Sequence, residues 1–202
     1  ILFLNDDMEI FEPDWLSELV QWAVRSEIGV VGTKLIRANH IIQHAGIIIG
    51  LVGFVGHIYL NAPAHYQGLF GSVDWYRDYM AVTGACQMVR RDVFNQVGGY
   101  DEGYRGAFGD IDFCLRAHKL GYRNIYTPYA PIFHYEGRSR GFDTPREDVL
   151  RGYQQMESVL SAGDPNFSPN LSYTRIPKCK RPGQTSADQE TLTQIRKEFY
   201  EK

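Results

Sequence analysis

The alternation of apolar and polar residues predicts strands and helices in turn along the first quarter of the chain. An apolar run over residues 1–4 ends in the polar turn Asn5-Asp6-Asp7, which is typical of a strand that closes on a loop. A helix is predicted from Pro13 to about Val24, because apolar residues recur there at helical spacing. The residues of this stripe are Trp15, Leu16, Leu19 and Val20. Two β-branched runs, over 30–36 and 41–49, predict further strands.

The second half of the chain continues this alternation. Residues 80–89 form an apolar run with small residues at its centre, which predicts a strand that a ligand or another backbone approaches closely. Helices are predicted over 90–98 and 110–120, each followed by glycine. A strand over 122–126 is followed by two prolines that we expect to end it, and a capped helix is predicted from Thr144 to Leu160. The order of elements predicts an α/β fold.

Composition narrows the class of protein. The 202 residues, 44% of them hydrophobic, can bury one ordinary core, and we expect one domain over 1–173 followed by a linker and a polar helix over 174–202. A net charge of -3 predicts no general affinity for nucleic acid. Three cysteines without CxxC spacing predict neither a disulfide framework nor a zinc site, and they favour a reducing cytoplasmic location.

One stretch, residues 38–73, contains no Asp, Glu, Lys or Arg and carries regularly spaced glycines, as membrane helices do. Its apolar runs are short and β-branched, however, and Gln43, His44 and His57 would lie in hydrocarbon without hydrogen-bond partners. Strands and an apolar loop are therefore preferred over a spanning helix.

Two acidic clusters carry the candidate chemistry. Carboxylates at the end of a strand can hold a divalent cation beside a phosphate, and Asn5-Asp6-Asp7 has this form. The second cluster, Gly109-Asp110-Ile111-Asp112, heads a predicted helix. One carboxylate site for a metal and one for a base indicate an enzyme. The structural alternatives stay open, since the first cluster can be a plain polar turn and the second can cap its helix and complement the dipole.

Five segments, in this order, resemble family 2 glycosyltransferases, and among them the non-processive O-antigen and rhamnosyltransferase-like members. The resemblance covers about residues 1–173 and is more specific than any one motif. The segments are Leu2-Phe3-Leu4-Asn5-Asp6-Asp7-Met8-Glu9, Ala81-Val82-Thr83-Gly84-Ala85-Cys86, Val97-Gly98-Gly99-Tyr100-Asp101-Glu102, Phe108-Gly109-Asp110-Ile111-Asp112-Phe113-Cys114-Leu115-Arg116 and His134-Tyr135-Glu136-Gly137-Arg138-Ser139-Arg140-Gly141.

The resemblance implies a GT-A fold, with a mixed sheet flanked by helices, and inverting transfer from a UDP- or dTDP-linked sugar to a saccharide or lipid-linked saccharide. It implies Mg²⁺ or Mn²⁺ held by Asp7, Asn5 and His134, because a cation stabilises the departing diphosphate. Asp110 matches the base position, although Gly109 replaces the glutamate that commonly precedes it. Donor or acceptor binding is implied for Thr83, Gly84, Ala85, Asp112, Arg138 and Arg140.

Each of these roles has a structural alternative. His134 can be a structural hydrogen-bonding residue, the arginines can be solvated surface charges, and residues 83–85 can be tightly packed strand. A non-catalytic carbohydrate-binding or assembly module is the rival function, because Tyr59, Tyr66, Trp75 and Tyr76 could stack on sugar rings. A phosphohydrolase with an aspartate nucleophile is disfavoured, since Asn5 cannot form a phospho-enzyme.

The setting that the resemblance implies is cell-surface polysaccharide synthesis in the cytoplasm, with peripheral association at the inner face of the membrane left open. Family members bind the nucleoside in a βαβ half that precedes the metal motif, and this chain begins at that motif. We therefore expect a missing amino-terminal half or adjoining domains as partners, and poor activity of these residues alone.

Overall fold

A computed structural model describes residues 1–69, 71–135, 144–180 and 197. The strands are β1 (Leu2–Leu4), β2 (Met8–Ile10), β3 (Ile28–Ile36), β4 (Ile42–His44), β5 (Ile47–Ile49), β6 (Val55–His57), β7 (Gln67–Gly68), β8 (Gly71–Ser72), β9 (Arg77–Tyr79), β10 (Cys86–Val89) and β11 (Arg123–His134). The helices are α1 (Trp15–Ala23), α2 (Arg91–Val97), α3 (Gly109–Lys119) and α4 (Arg146–Ala162), with a 3₁₀ turn at Leu51–Gly53.

A seven-stranded mixed sheet forms the centre of the described structure. Its main order is β1-β10-β3-β11-β2, with β4 beside β3 and β9 beside β11. The long strands β3 and β11 run parallel, and the other pairs in this sheet are antiparallel. The prediction of an α/β fold with a mixed sheet flanked by helices is confirmed.

The sheet buries both of its faces because successive side chains of a strand point in opposite directions. Val31 packs in a cluster under α1 with Leu19 and Ile125, whereas Val30 packs in a second cluster with Phe113 of α3 and with Tyr126. The core is therefore two apolar layers separated by the sheet.

Helix α1 forms where the spacing predicts it, but its predicted apolar stripe is only partly buried. Leu16 and Val20 are 45% and 42% exposed, while Leu19 and Ala23 are buried. Glu18 is also buried, and its carboxylate accepts hydrogen bonds from the hydroxyl of Thr127 and the indole N–H of Trp22. The buried face of α1 therefore differs from the predicted stripe, because it includes Glu18 and leaves out Leu16 and Val20.

Strand β11 runs through the two prolines that were expected to end it. Its pairing with β3 shifts register between Thr127 and Ile132, which is the segment that contains Pro128 and Pro131. The buried hydroxyl of Thr33 donates to the carbonyl of Thr127 at 3.3 Å and also reaches that of Ala130. The irregularity tolerates proline because the ladder is already interrupted there.

Two other predicted strands are shorter than the sequence suggests. The run over 41–49 divides into β4 and β5 at Gly46, whose φ of +113° takes the backbone out of the extended region. The run over 80–89 is a strand only at Cys86–Val89, and residues 80–85 form an irregular segment. Among the described residues, no helix is long and apolar enough to cross a membrane.

Residues 171–180 are attached to the rest of the domain by backbone hydrogen bonds. Tyr59 donates to the carbonyl of Arg175 at 2.6 Å, and Val52 donates to that of Tyr173 at 2.8 Å. The division at residue 173 stays a prediction, and the predicted terminal helix, apart from Lys197, lies outside the described residues. Cys86, Cys114 and Cys179 are free thiols, as predicted.

Helix α4 fixes the loop that precedes α3. Asp148 is fully buried, and its carboxylate accepts backbone N–H bonds from Arg105, Gly106 and Ala107 at 2.7–3.2 Å. Burial alone would raise the pKa of this carboxyl, but the backbone hydrogen bonds outweigh burial and lower the pKa below its usual value. Residues 105–107, called the clamped loop below, are therefore tied to α4 by one ionised side chain.

We expect Gly46→Ala to lower the free energy of unfolding by about 3 kcal/mol. A methyl group there would fall within the ring of Tyr79 as well as strain the backbone. Gly98→Ala is the matched control, because Gly98 also has positive φ but nothing lies within 4 Å of the added carbon. Urea unfolding should show a loss of about 1 kcal/mol for the control, and equal losses in the two variants would contradict the packing argument.

We expect Asp148→Asn to destabilise the protein by about 2 kcal/mol at neutral pH, because three backbone donors lose a charged acceptor. The depressed pKa means that this stabilisation is present above the unfolded-state pKa and is lost as pH falls through the folded-state pKa. The stability difference between wild type and variant should therefore shrink in acid. Glu147→Gln, a neighbouring exposed carboxylate, is the control in the same unfolding series and should change stability little.

Candidate active site

The two predicted acidic clusters meet at one cleft of about 980 Å³. It lies beside the ends of β1 and β11 and the start of α3, and the clamped loop forms part of its wall. The predicted site residues that line it are Asn5, Asp7, Thr83, Gly84, Ala85, Asp110 and His134. Arg138 and Arg140 lie outside the described residues.

The metal end of the cleft is built by the pairing of β2 with β11. His134 is opposite Met8 in this register, and the N–H of Tyr135 donates to the carbonyl of Asp7 at 3.0 Å. The Nε2 atom of His134 consequently lies 3.0 Å from Oδ1 of Asp7. The carboxamide of Asn5 is adjacent, with 3.4 Å between its Nδ2 and the same ring nitrogen.

Gln43 determines which ring nitrogen of His134 is available in the cleft. The Oε1 of Gln43 lies 2.6 Å from Nδ1 of His134, and an amide oxygen can only accept, so Nδ1 carries the proton. In the neutral ring Nε2 then has a lone pair, which faces Oδ1 of Asp7 and Nδ2 of Asn5. Gln43 therefore orients the ring of His134.

The polar atoms at this end fit a divalent cation. Oδ1 of Asp7 is buried without a hydrogen bond of acceptable geometry, and it lies beside the Nε2 lone pair of His134. Within the described ranges no three His, Cys, Asp or Glu side chains converge, so the third protein ligand would be the Asn5 carboxamide. Oxygen and imidazole donors of this kind suit Mg²⁺ or Mn²⁺.

Asp110 occupies the first turn of α3 and faces the same cleft. Its Oδ2 accepts the backbone N–H of Gly84 at 2.7 Å, and its Oδ1 accepts that of Ile111 at 2.9 Å. The residue before the helix, Phe108, has a φ of +65°, an uncommon conformation for a side chain of its size. The carboxylate of Asp110 thus accepts an N–H group in the first turn of α3 and also lines the cleft.

The segment Thr83–Ala85, called the central loop below, lies between the two ends of the site. Asn5 donates its backbone N–H to the carbonyl of Ala85 at 2.9 Å, and Gly84 donates to Asp110. A Cβ atom at residue 84 would lie 3.0 Å from Cβ of Asp110, so glycine permits the close approach. The expectation that a backbone approaches closely at these small residues is met by a loop, not by the strand that was predicted.

Asp112 does not line the cleft. It is 3% exposed and pairs with Arg116, whose Nε lies 2.8 Å from its Oδ2, while the guanidinium also donates to the carbonyl of Val97. This geometry gives Asp112 a structural contact within α3, and its donor- or acceptor-binding role stays a prediction.

The four aromatic residues considered for sugar stacking are divided between core and surface. Tyr59 is buried and Tyr66 is half-buried, and they pack on each other with centroids 5.5 Å apart. Trp75 and Tyr76 are 56% and 41% exposed and do not line the cleft. The second pair is therefore the more exposed of the two.

Comparison with known proteins finds relatives at 38–40% identity. The chain is 39% identical over 182 residues to the uncharacterised protein y4gI of Sinorhizobium fredii, a match over 87% of this chain and 20% of that protein. It is 38% identical over 177 residues to the O-antigen biosynthesis protein RfbC of Myxococcus xanthus, over 86% of this chain and 14% of RfbC. The chain thus spans a fifth or less of these relatives.

A shorter match, 40% identical over 62 residues, joins the chain to an N-acetylglucosaminyl-diphospho-decaprenol L-rhamnosyltransferase of Mycobacterium tuberculosis, over 31% of this chain and 20% of that enzyme. A mannosyltransferase of Pyrobaculum calidifontis, solved with GDP-Man and Mn²⁺, superposes with a TM-score of 0.42 at 12% identity, over 80% of this chain and 50% of that one. No protein-family profile matches. The named relatives support a family 2 glycosyltransferase-like domain, as the motifs predicted.

Proposed function

We propose that this domain transfers a sugar from a nucleotide-diphosphate donor to a saccharide or lipid-linked saccharide acceptor, in the synthesis of a cell-surface polysaccharide such as O-antigen. The observation that carries the proposal is the single cleft in which Asp7 and His134 lie with Asp110. The names of the O-antigen and rhamnosyltransferase relatives support the substrate classes.

At the metal end, Asp7, His134 and Asn5 would hold Mg²⁺ or Mn²⁺. When bound, the cation neutralises charge on the diphosphate as the bond from sugar to phosphate oxygen breaks. Gln43 keeps the lone pair of His134 directed into the site. The buried Oδ1 of Asp7, which accepts no hydrogen bond, would then contact the cation.

Asp110 is proposed as the general base. Its carboxylate takes the proton of the acceptor hydroxyl while that oxygen forms a bond to the anomeric carbon, and the diphosphate leaves from the opposite face. Such a direct displacement inverts the anomeric configuration. The N–H groups of Gly84 and Ile111 hold the carboxylate in place without occupying all of its lone pairs.

The remaining assignments are also proposals. The central loop, Arg138 and Arg140 are proposed to contact the donor or acceptor, and the nucleotide is proposed to be UDP or dTDP. Since the relatives are much longer than this chain, further regions are proposed to complete the nucleotide pocket. The cytoplasmic location, with the inner face of the membrane as the alternative, stays a prediction.

A non-catalytic carbohydrate-binding module is the second candidate. The exposed rings of Trp75 and Tyr76, which lie outside the cleft, are the observation in its favour. The two functions are separated by incubating a longer form of the protein, which includes the regions proposed to complete the nucleotide pocket, with Mn²⁺ and a panel of UDP-, dTDP- and GDP-sugars. A transferase releases nucleoside diphosphate from a member of the panel, whereas a binding module releases none.

We expect Asp110→Asn to lower kcat for transfer by about 10²- to 10⁴-fold, because the base is removed. Binding of the donor should be unchanged, since an asparagine oxygen can still accept the N–H of Gly84. Asp112→Asn tests the role of Asp112 in the same assays. A folded variant with unchanged donor and acceptor KM indicates a structural role, and a raised KM indicates ligand binding. Initial-rate kinetics and donor titration measure both variants, and wild-type turnover by Asp110→Asn would contradict the assignment.

We expect Asp7→Asn and Gln43→Leu each to weaken Mn²⁺ binding by about 10- to 100-fold. The first removes the charged ligand, and the second removes the acceptor that fixes the tautomer of His134. Asp6→Asn is the matched control, because Asp6 is in the same turn but is exposed and does not line the cleft. Titration followed by the electron paramagnetic resonance of free Mn²⁺ measures all three, and equal affinity in the control and Asp7→Asn would refute the site.

A further inference from the structure

One arginine in the wall of the cleft is not used by the proposed transfer. Arg105 is the first residue of the clamped loop, and of the residues that the structure describes there it is the only lysine or arginine that lines the cleft. An exposed arginine is ordinarily a solvated surface charge. The backbone, the side chain and the charged neighbours of Arg105 each set it apart from that ordinary case.

The backbone of Arg105 is held by a buried carboxylate. Its N–H donates to the two carboxylate oxygens of Asp148, at 3.0 Å and 3.2 Å, and the next two N–H groups along the chain donate to the same side chain. Asp148 belongs to α4 and is fully buried, so the loop cannot shift without breaking bonds to an ionised group. The side chain of Arg105 therefore starts from a fixed point in the wall of the cleft.

The guanidinium of Arg105 makes no hydrogen bond or ion pair with the described part of the chain, because the bonds of this residue are those of its backbone N–H. Its charge acts on Asp148 from a distance, and it contributes less to the lowered pKa of that carboxyl than the three N–H groups do. The N–H donors of the guanidinium are therefore available to a ligand.

The carboxylates that line the cleft have partners of their own. Asp101 pairs with Arg151 at 2.8 Å, and Asp110 accepts two backbone N–H groups. Asp7 lies beside His134. These contacts reduce the repulsion that the carboxylates would exert on an anion. A cation that lies among carboxylates and is bonded to none of them suits an anionic ligand, and the guanidinium fork matches the oxygens of a phosphate.

Arg105 lies on the same wall of the cleft as the proposed base. Phe108 alone separates the clamped loop from α3, and Asp110 is in the first turn of that helix. The acceptor loses its proton to Asp110 in the proposed reaction, so the acceptor lies against this wall. The donor diphosphate is proposed to meet its cation at the metal end. An anion that contacts Arg105 therefore belongs to the acceptor.

We propose that Arg105 binds a phosphate group of the acceptor, and that the acceptor is a sugar joined to this phosphate through its anomeric oxygen. The inference rests on the proposed glycosyltransferase function and names the class of its acceptor. In such a molecule a single sugar ring separates the phosphate from the hydroxyl that reacts, so one acceptor contacts both Asp110 and Arg105. A saccharide without phosphate on the reacting sugar loses this contact.

Phosphate binding can be measured without turnover. Inorganic pyrophosphate is titrated into the protein in the presence of EDTA, so that no cation at the metal end contributes, and the amide signals of Gly106 and Ala107 report binding at the loop. Arg105→Gln should weaken binding by about tenfold, because charge-assisted hydrogen bonds are lost. Arg105→Lys should recover part of the affinity, since it keeps the charge without the fork.

Arg91→Gln is the matched control for the titration. Arg91 is exposed at the start of α2 and lies outside the cleft, and its replacement removes the same charge. This variant should bind pyrophosphate as wild type does. Arg105→Gln should keep the urea midpoint of wild type, because Asp148 holds only backbone groups of the loop. Wild-type affinity in Arg105→Gln, or equal weakening in the two glutamine variants, would refute the phosphate contact.

The acceptor class is tested by kinetics with the longer form of the protein. Two acceptors that carry the same sugar are compared, one a farnesyl diphosphate and the other an octyl glycoside. Wild type should prefer the diphosphate. Arg105→Gln should lower kcat/KM for the diphosphate by about tenfold and leave that for the glycoside unchanged, because only the first acceptor has a phosphate to lose. The KM for the nucleotide sugar should stay the same.

The other kinetic outcomes contradict the inference. A rise in the donor KM alone would assign the phosphate to the donor, and equal losses with the two acceptors would show that Arg105 does not recognise the phosphate of the acceptor. If wild type turns over no nucleotide sugar with either acceptor, the proposed function and the acceptor assignment fail together. The pyrophosphate titration still decides in that case whether Arg105 binds phosphate.

Discussion

The backbone of the central loop, Thr83–Ala85, joins three separate parts of the domain around one cleft. Thr83 donates to His44 of β4, Gly84 donates to Asp110 of α3, and Ala85 accepts from Asn5 after β1. The central loop contributes only main-chain groups to these bonds, so they do not depend on the rotamers of its own side chains. The metal end of the cleft, His44 and the carboxylate of Asp110 are therefore all bonded to one short segment of backbone.

Packing on both sides of this loop explains its irregular course. Gly84 lies against Asp110, with no room for a larger residue without movement of the helix, and the buried Val82 fills the space above Gly32 of β3. In a regular strand through residues 80–85, the N–H groups of Thr83 and Gly84 would donate to a neighbouring strand or point away from the site. The loop leaves them available for a histidine and a carboxylate instead.

The sequence predicts the elements that obey simple periodicity. Helices α2, α3 and α4 and strand β3 are found where the apolar spacing and the glycine stops place them. Predictions fail where a long-range contact decides the structure. Pro128 and Pro131 are accepted in β11 because Thr33 on another strand satisfies the carbonyls there, and nothing local to the prolines indicates this.

The same limit applies to the site. Motif order identified Asp7, His134 and Asp110, which the fold brings to one cleft. Gln43 contacts His134 across 91 residues of sequence, and Asp148 holds the clamped loop in the wall of the cleft across more than 40 residues. Both are ordinary polar residues in their local context. Their importance appears only when the sheet and α4 place them beside their partners.

The central claim is that one cation site and one base share the cleft. Paramagnetic broadening of backbone amide signals by substoichiometric Mn²⁺ tests it most directly. The account predicts strong broadening of the Gly84 and Ile111 amides and little at Gly121, which follows the end of α3 and lies about 15 Å from Ile111. Equal broadening at Ile111 and Gly121, or none at Gly84 while Mn²⁺ is bound, would contradict it.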